Sequence, residues 1–264
     1  MRLDDDLALA RTLAAHADLI SMRRFTAQDF TVTTKPDRTP VTEADREVEK
    51  AIREGIAAAR PHDAILGEEF GSTGEQSGEG RPHRQWIVDP IDGTANFLRG
   101  VPIWGTLIAL AIDGVPQVGV VSAPALGQRW WAATGHGAYR QRTGHHEEPI
   151  HVSKVSAISD AVVSYNSLPG WIGAGRGEQA IALATQSWRA RAIGDMWAYM
   201  LVAEGAIDIA TECDLQPYDM AALIPIVTEA GGRFTDIDGN DGPWNGTACA
   251  TNGLLHADVL AVLK

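Results

Sequence analysis

Trp86-Ile87-Val88-Asp89-Pro90-Ile91-Asp92-Gly93-Thr94-Ala95-Asn96-Phe97 reads as a short buried strand that runs into a turn and then a new element. Ile87 and Val88 are apolar, Asp89 and Asp92 arrive three positions apart, and Gly93-Thr94 follows where a helix can begin. Such an end can aim two carboxylates and several backbone N–H groups at one point. Carboxylates take hard cations such as Mg²⁺, and the N–H groups at a helix start take phosphate. A plain Asp-Gly turn with Thr94 as a cap fits the same residues, so this stretch alone leaves both readings open.

Three other segments bear on the choice. Ala64-Ile65-Leu66 is a short apolar run ending in Gly67-Glu68-Glu69, again a strand that delivers carboxylates. Tyr218-Asp219-Met220-Ala221-Ala222-Leu223 opens a helical pattern, so Asp219 stands where the helix dipole favours an anion. Val41-Thr42-Glu43-Ala44-Asp45 opens another helix. Each has an ordinary structural explanation: Thr42 and Asp45 as a capping box, Asp219 as a cap, Glu68 and Glu69 as solvated loop residues. Those explanations do not account for the joint occurrence.

Taken together, WIVDPIDGTANF, LGEEF, PVTEAD and PYDMAALIPIVTEAGG resemble the motifs of the inositol monophosphatase superfamily. The similarity runs from about Lys35 to Asn252. Tyr218 stands where most members have Trp, and Ala95 where many have Thr or Lys; neither is a family metal ligand. The blocks from Arg99 to Trp104, Val118 to Leu126, Arg129 to Ala133 and Arg191 to Asp195 are most similar to the actinobacterial histidinol-phosphate phosphatases. The resemblance implies a layered αβαβα sandwich and an Mg²⁺-dependent phosphomonoesterase with two or three ions per site. It places metal ligands at Glu68, Asp89, the Ile91 carbonyl, Asp92 and Asp219. Asp45 and Thr94, with Glu68, would orient and deprotonate the attacking water. Gly93 and Thr94 would bind the phosphate, and Asp195, Glu212 and Arg191 would face the rest of the substrate. The implied substrate is histidinol phosphate. Inositol monophosphate, or an adenosine bisphosphate, is the alternative. An inactive metal-binding or regulatory protein on the same fold fits less well, because it has no need of all these positions at once.

Composition is compatible with this. Of 264 residues, 45% are hydrophobic and 21% charged, as expected of a globular protein. The formal charge of −12 makes nucleic acid and anionic membranes poor partners. A net-negative protein that binds a phosphate ester needs local positive charge. Lysines are sparse near the motifs, and divalent metal would supply that charge. Cys213 and Cys249 form neither a disulfide framework nor a zinc spacing. The acidic start, Met1-Arg2-Leu3-Asp4-Asp5-Asp6, is unlike a secretory signal, and the expected setting is the cytoplasm. Relatives suggest a homodimer.

Periodicity predicts helices over Leu3–Phe25 and Thr42–Arg60, and loops over Lys35–Pro40 and Gly71–Arg84, the latter expected to be mobile. A hairpin over Thr106–Ser122 and a strand from Arg129 to Ala133 follow. Gly135–Glu148 reads as irregular, with His145-His146 a solvated turn rather than a metal site. Beyond it come a strand over Ile158–Tyr165, a helix over Glu178–Trp188, a helix over Asp195–Glu204 and a strand over Ile207–Ala210. A helix over Asp219–Ala230, kinked at Pro225, a strand over Ala248–Thr251 and a last helix complete the chain. Elements first cluster and then alternate, which suggests α+β for residues 1–150, carrying most ligands, and α/β for 151–264, carrying the substrate contacts and the last ligand.

Overall fold

The strand predicted at Trp86–Val88 extends over Arg84–Asp92 in a computed structural model that describes residues 3–28, 32–34, 40–74 and 83–264. This strand lies inside an eight-stranded sheet. From one edge, the order is Glu148–Pro149, Ala138–Arg142, Gln128–Ala133, Val115–Ala123, Gly105–Ile112, Arg84–Asp92, Ala64–Gly67 and Gly71–Thr73. All its neighbours pair antiparallel except Arg84–Asp92 with Ala64–Gly67. A five-stranded mixed sheet runs Arg189–Arg191, Val162–Ser164, Ile209–Cys213, Thr247–Thr251, Arg233–Thr235.

Side-chain alternation along a strand sorts the core into layers. Trp86 and Val88 face one side of the large sheet with Ile108, Leu110, Val118 and Val120, against Ala10, Leu13, Val48, Ile52 and Ile56 of the first two long helices. Ile87, Leu107, Ala109 and Val121 face the other side. There they meet Met196, Met200, Leu223 and Ile226, which also cover Ala210, Phe234, Ala248 and Ala250 of the second sheet. The far face of that sheet, with Val163, Ile209 and Cys249, is closed by Trp171, Leu183, Val259 and Leu263. The layers therefore run helix, sheet, helix, sheet, helix, the expected αβαβα sandwich.

Several boundaries differ from expectation. Gly71–Thr73 is a strand, and residues 75–82 of the expected loop lie outside the described residues. Residues 35–39 lie outside them too, while Pro40–Thr42 pairs with Val32–Thr34. The region expected to be irregular contains the strand Ala138–Arg142, whose alternation is weak because it sits near the sheet edge; His145 and His146 are exposed in the turn after it. Ile158–Asp160 is a 3₁₀ turn, and the strand begins at Val162. The helix expected from Asp219 is two pieces, Pro217–Met220 and Leu223–Glu229. Cys213 and Cys249 are free and buried.

Candidate active site

Two aspartates three apart on a regular strand would point to opposite faces. The strand avoids this with an irregularity. Asp89 pairs with Leu107 and Asp92 with Gly105, so three steps on one strand match two on its neighbour. Thr106 Oγ1 donates to the freed Pro90 carbonyl at 2.8 Å, and the Ile91 N–H donates to Asp89 Oδ1 at 3.0 Å. Carboxylate oxygens of Asp89, Asp92 and Asp219 consequently fall within 4.8 Å of one another. Glu68 follows the adjacent parallel strand, and its N–H donates to the Val88 carbonyl at 3.2 Å.

Gly93 then turns the chain with φ +82°, a left-handed conformation that suits glycine. A Cβ there would stand 3.0 Å from the Ile103 carbonyl and 3.3 Å from Asp195 Oδ2. The short helix Thr94–Leu98 starts at this corner. Thr94 Oγ1 lies 3.0 Å from the Ile91 carbonyl and 3.4 Å from Asp45 Oδ1.

At Asp45 the two carboxylate oxygens face different partners. Its Oδ2 closes the capping box, accepting from Thr42 N–H at 2.8 Å and Thr42 Oγ1 at 2.6 Å. Its Oδ1 faces Thr94. Asp219 divides its work in the same way: Oδ2 accepts from the Gln216 N–H at 2.7 Å, while the carboxylate belongs to the acidic cluster.

Residues of the second sheet and its helices close the other wall. Asp92, Asp195, Met196, Tyr199, Glu212, Asp214, Leu215 and Asp219 line a cleft of about 170 Å³. Asp195 does not cap its helix; Oδ2 accepts from Asn96 Nδ2 at 2.7 Å. The next N–H, of Met196, donates to Asp92 Oδ2 at 2.6 Å. Glu212 accepts from Asn166 Nδ2 and, at 3.2 Å, from the Tyr199 hydroxyl. Asn166, Asp195 and Asp214 hold φ of +50°, +49° and +68°. Such backbone is uncommon for non-glycine residues and concentrates at functional sites. Arg191 stands apart: it is exposed at the end of an edge strand, and its guanidinium donates to the Ala190 carbonyl at 2.8 Å.

Burial pushes six of these carboxyls, Asp45, Asp89, Asp92, Asp195, Glu212 and Asp219, toward the neutral form. Asp89 is raised well above the usual range by burial, then by Glu68, Asp92 and Asp219. Asp92 is raised likewise by burial, then by Asp195 and Asp219. Asp45 is pushed up to about 6 and Asp219 to about 7, with burial the main cause and Glu68 contributing to both. Burial carries Asp195 to about 6 and Glu212 to about 8. Buried carboxylates this close repel unless a cation joins them, and an all-oxygen donor set suits a hard divalent ion. The residues present therefore fit Mg²⁺.

A pH effect follows from these shifts. A carboxyl whose pKa is higher in the folded chain than in the unfolded one takes up protons on folding. Its stabilisation is complete below the unfolded pKa of about 4 and is lost as pH rises through the folded value. In EDTA the melting temperature should therefore fall between about pH 5 and pH 8. Mg²⁺ binds the ionised forms, so it should raise the melting temperature more at the upper end of that window. A flat profile in EDTA, measured by calorimetry, would speak against a strained acidic cluster.

Sequence reading missed Asn96, Asn166, Tyr199 and the Met196 N–H. No spacing rule links them to the aspartates. Tyr199, in the apolar run Trp197–Val202, carries the one weak signal, a hydroxyl that needs a buried partner.

Comparison with known proteins is consistent with this geometry. The family described as the inositol monophosphatase family matches residues 2–264. A histidinol-phosphatase of Mycobacterium tuberculosis is 53% identical over 260 residues, covering 98% of each chain. One of Streptomyces coelicolor is 51% identical, covering 98% of this chain and 97% of its own. Among solved structures, an inositol monophosphatase from Zymomonas mobilis superposes with a TM-score of 0.85 at 32% identity, covering 100% of this chain and 99% of the other.

Proposed function

The chain belongs to the inositol monophosphatase family, and from that premise we propose that it is an Mg²⁺-dependent phosphomonoesterase that hydrolyses L-histidinol phosphate to L-histidinol and phosphate. The observation that carries the chemistry is the convergence of Asp89, Asp92 and Asp219 within 4.8 Å beside the Gly93-Thr94 corner. The full-length likeness to histidinol-phosphatases carries the substrate. Histidine biosynthesis is the corresponding setting. No helix among the described residues is long and apolar enough to cross a membrane. The proposal extends to two or three ions per site and to a homodimer in the cytoplasm, on the family resemblance alone.

Glu68, Asp89, Asp92, Asp219 and the Ile91 carbonyl would hold the metal. When bound, it supplies positive charge to the phosphoryl oxygens and lowers the pKa of water. The chain's own residues do the rest. The first N–H groups of a helix lack intrahelical partners, so those at Gly93-Thr94 can bind phosphate. Asp45 Oδ1 and Thr94 Oγ1 form a pair that can orient a water and accept its proton, with Asp45 poised by a pKa of about 6. Cys213 and Cys249, buried in the second sheet, offer no nucleophile there. Water attacks phosphorus directly, and the alcohol leaves.

Histidinol phosphate carries an ammonium and an imidazole, and inositol phosphate carries only hydroxyls. Asp195 and Glu212 would pair with the cationic end. Asp195 stands beside the phosphate corner, its Oδ2 3.3 Å from where a Gly93 Cβ would be. Losing one partner of a desolvated charge pair costs about 2–5 kcal/mol, so Asp195→Ala should cut kcat/KM for histidinol phosphate roughly 30-fold or more. An aryl phosphate, which has no ammonium, should be hydrolysed nearly as before. Equal losses on both substrates would make Asp195 a structural residue and remove this basis for the substrate.

A further inference from the structure

Glu49 lies one helical turn beyond Asp45 on the helix Glu43–Ala59 and is fully buried. A buried carboxylate is costly unless it is paired and hydrogen-bonded. Here Oε2 accepts from the Glu69 N–H at 2.6 Å and Oε1 from the Phe70 N–H at 3.3 Å. Arg53, a further turn along, donates Nε to Glu49 Oε1 at 2.7 Å. The rest of its guanidinium reaches the same segment, at Thr73 Oγ1 (2.9 Å) and at the Gly71 carbonyl. The pair thus pins the chain from Gly67 to Thr73 onto the helix. Gly67 permits the close approach, since a Cβ there would stand 2.0 Å from Glu49 Oε1.

Glu68 sits between two anchors. Its own N–H is tied to Val88, next to Asp89 on the strand, and the following N–H is tied to Glu49. We infer that Glu49, braced by Arg53, is a positioning residue that holds the Glu68 carboxylate at its distance from Asp89 and so sets the divalent-ion affinity of the site. Glu49 itself touches neither ion nor substrate. The same helix carries Asp45, so one rigid element registers both Glu68 and Asp45 against the strand Arg84–Asp92. The inference rests on the proposed role of Glu68 as a ligand.

The test is Mn²⁺ binding to the full chain, read from the paramagnetic resonance signal of free Mn²⁺, for the parent, Glu49→Gln, Gly67→Ala and Glu68→Gln. Glutamine matches glutamate in size but has one acceptor oxygen where two are needed, and no charge for Arg53. The Mn²⁺ dissociation constant of Glu49→Gln should rise about tenfold or more, as when groups behind metal ligands are removed. Its kcat at saturating Mg²⁺ should be largely retained. Gly67→Ala presses on the clamp from the other side, so it should weaken Mn²⁺ binding similarly and keeps the test open if Glu49→Gln does not fold. A merely structural Glu49 would lower the melting temperature in EDTA and leave Mn²⁺ affinity at the parent's value in both variants, which would overturn the inference. If the parent binds no Mn²⁺, the metal reading itself fails; if Glu68→Gln binds it as tightly as the parent, Glu68 is not a ligand; either result removes the positioning role.

Discussion

Asp92→Asn is expected to lose at least about a thousandfold in kcat while keeping its fold, since a correctly placed divalent ion contributes several kcal/mol to such a reaction. Asparagine preserves the shape of the side chain and keeps an oxygen for the Met196 N–H, which donates to Asp92 Oδ2 at 2.6 Å. It removes the negative charge from a cluster whose members lie within 4.8 Å. Stability should move the opposite way in EDTA. Asp92 is raised well above the usual carboxyl range by burial and by Asp195 and Asp219, so the variant should melt higher than the parent without metal and gain less from Mg²⁺. Phosphate release at saturating Mg²⁺, with calorimetry in EDTA, reads both effects. Activity near the parent's would take Asp92 out of the ligand set.

Thr94→Ala should lower kcat by about a hundredfold or more, within the range for proton-transfer groups, with little change in KM. The hydroxyl links the Ile91 carbonyl to Asp45, at 3.0 and 3.4 Å. Those distances suit a group that aligns a water, and the phosphate would still find the backbone N–H groups of the corner. Thr94→Ser keeps the hydroxyl and should recover most of the rate. A variant whose KM rises while kcat holds would make Thr94 a binding residue instead. Trapping a phosphorylated enzyme on the pathway would refute direct attack by water.

The parts of this site that stood in the sequence were those that local rules encode. Asp-x-x-Asp-Gly-Thr at a strand end, Thr42 with Asp45 at a helix start and Asp219 behind Pro217 each carry a spacing with a mechanical reason. The irregularity that brings Asp89 and Asp92 to one side was not legible, because it depends on the register against Gly105 and Leu107. Glu49 had a faint signal: it follows Val48 on the stripe of Ala44, Val48, Ile52 and Ile56, where a glutamate needs a partner. Arg53 stands at helical spacing from it, but the Glu69 and Phe70 N–H groups that it holds lie 20 and 21 residues away, out of reach of that spacing. The strands Arg189–Arg191 and Arg233–Thr235 escaped because three residues show no usable alternation, and their neighbours in the sheet define them. The short helix Leu168–Gly173 also escaped, since Pro169 and Gly170 are poor helix formers; Pro169 is tolerated because it sits in the first turn, which Ser167 caps.

The most direct measurement compares initial rates of phosphate release from L-histidinol phosphate and from inositol 1-phosphate, each with Mg²⁺ and with EDTA. If Asp195 and Glu212 pair with a cationic substrate and Asp89, Asp92 and Asp219 hold a divalent ion, kcat/KM for histidinol phosphate should be at least about tenfold above that for inositol phosphate. Both activities should be lost in EDTA and return with Mg²⁺. Preference for inositol phosphate, or undiminished turnover in EDTA, would contradict this reading of the site.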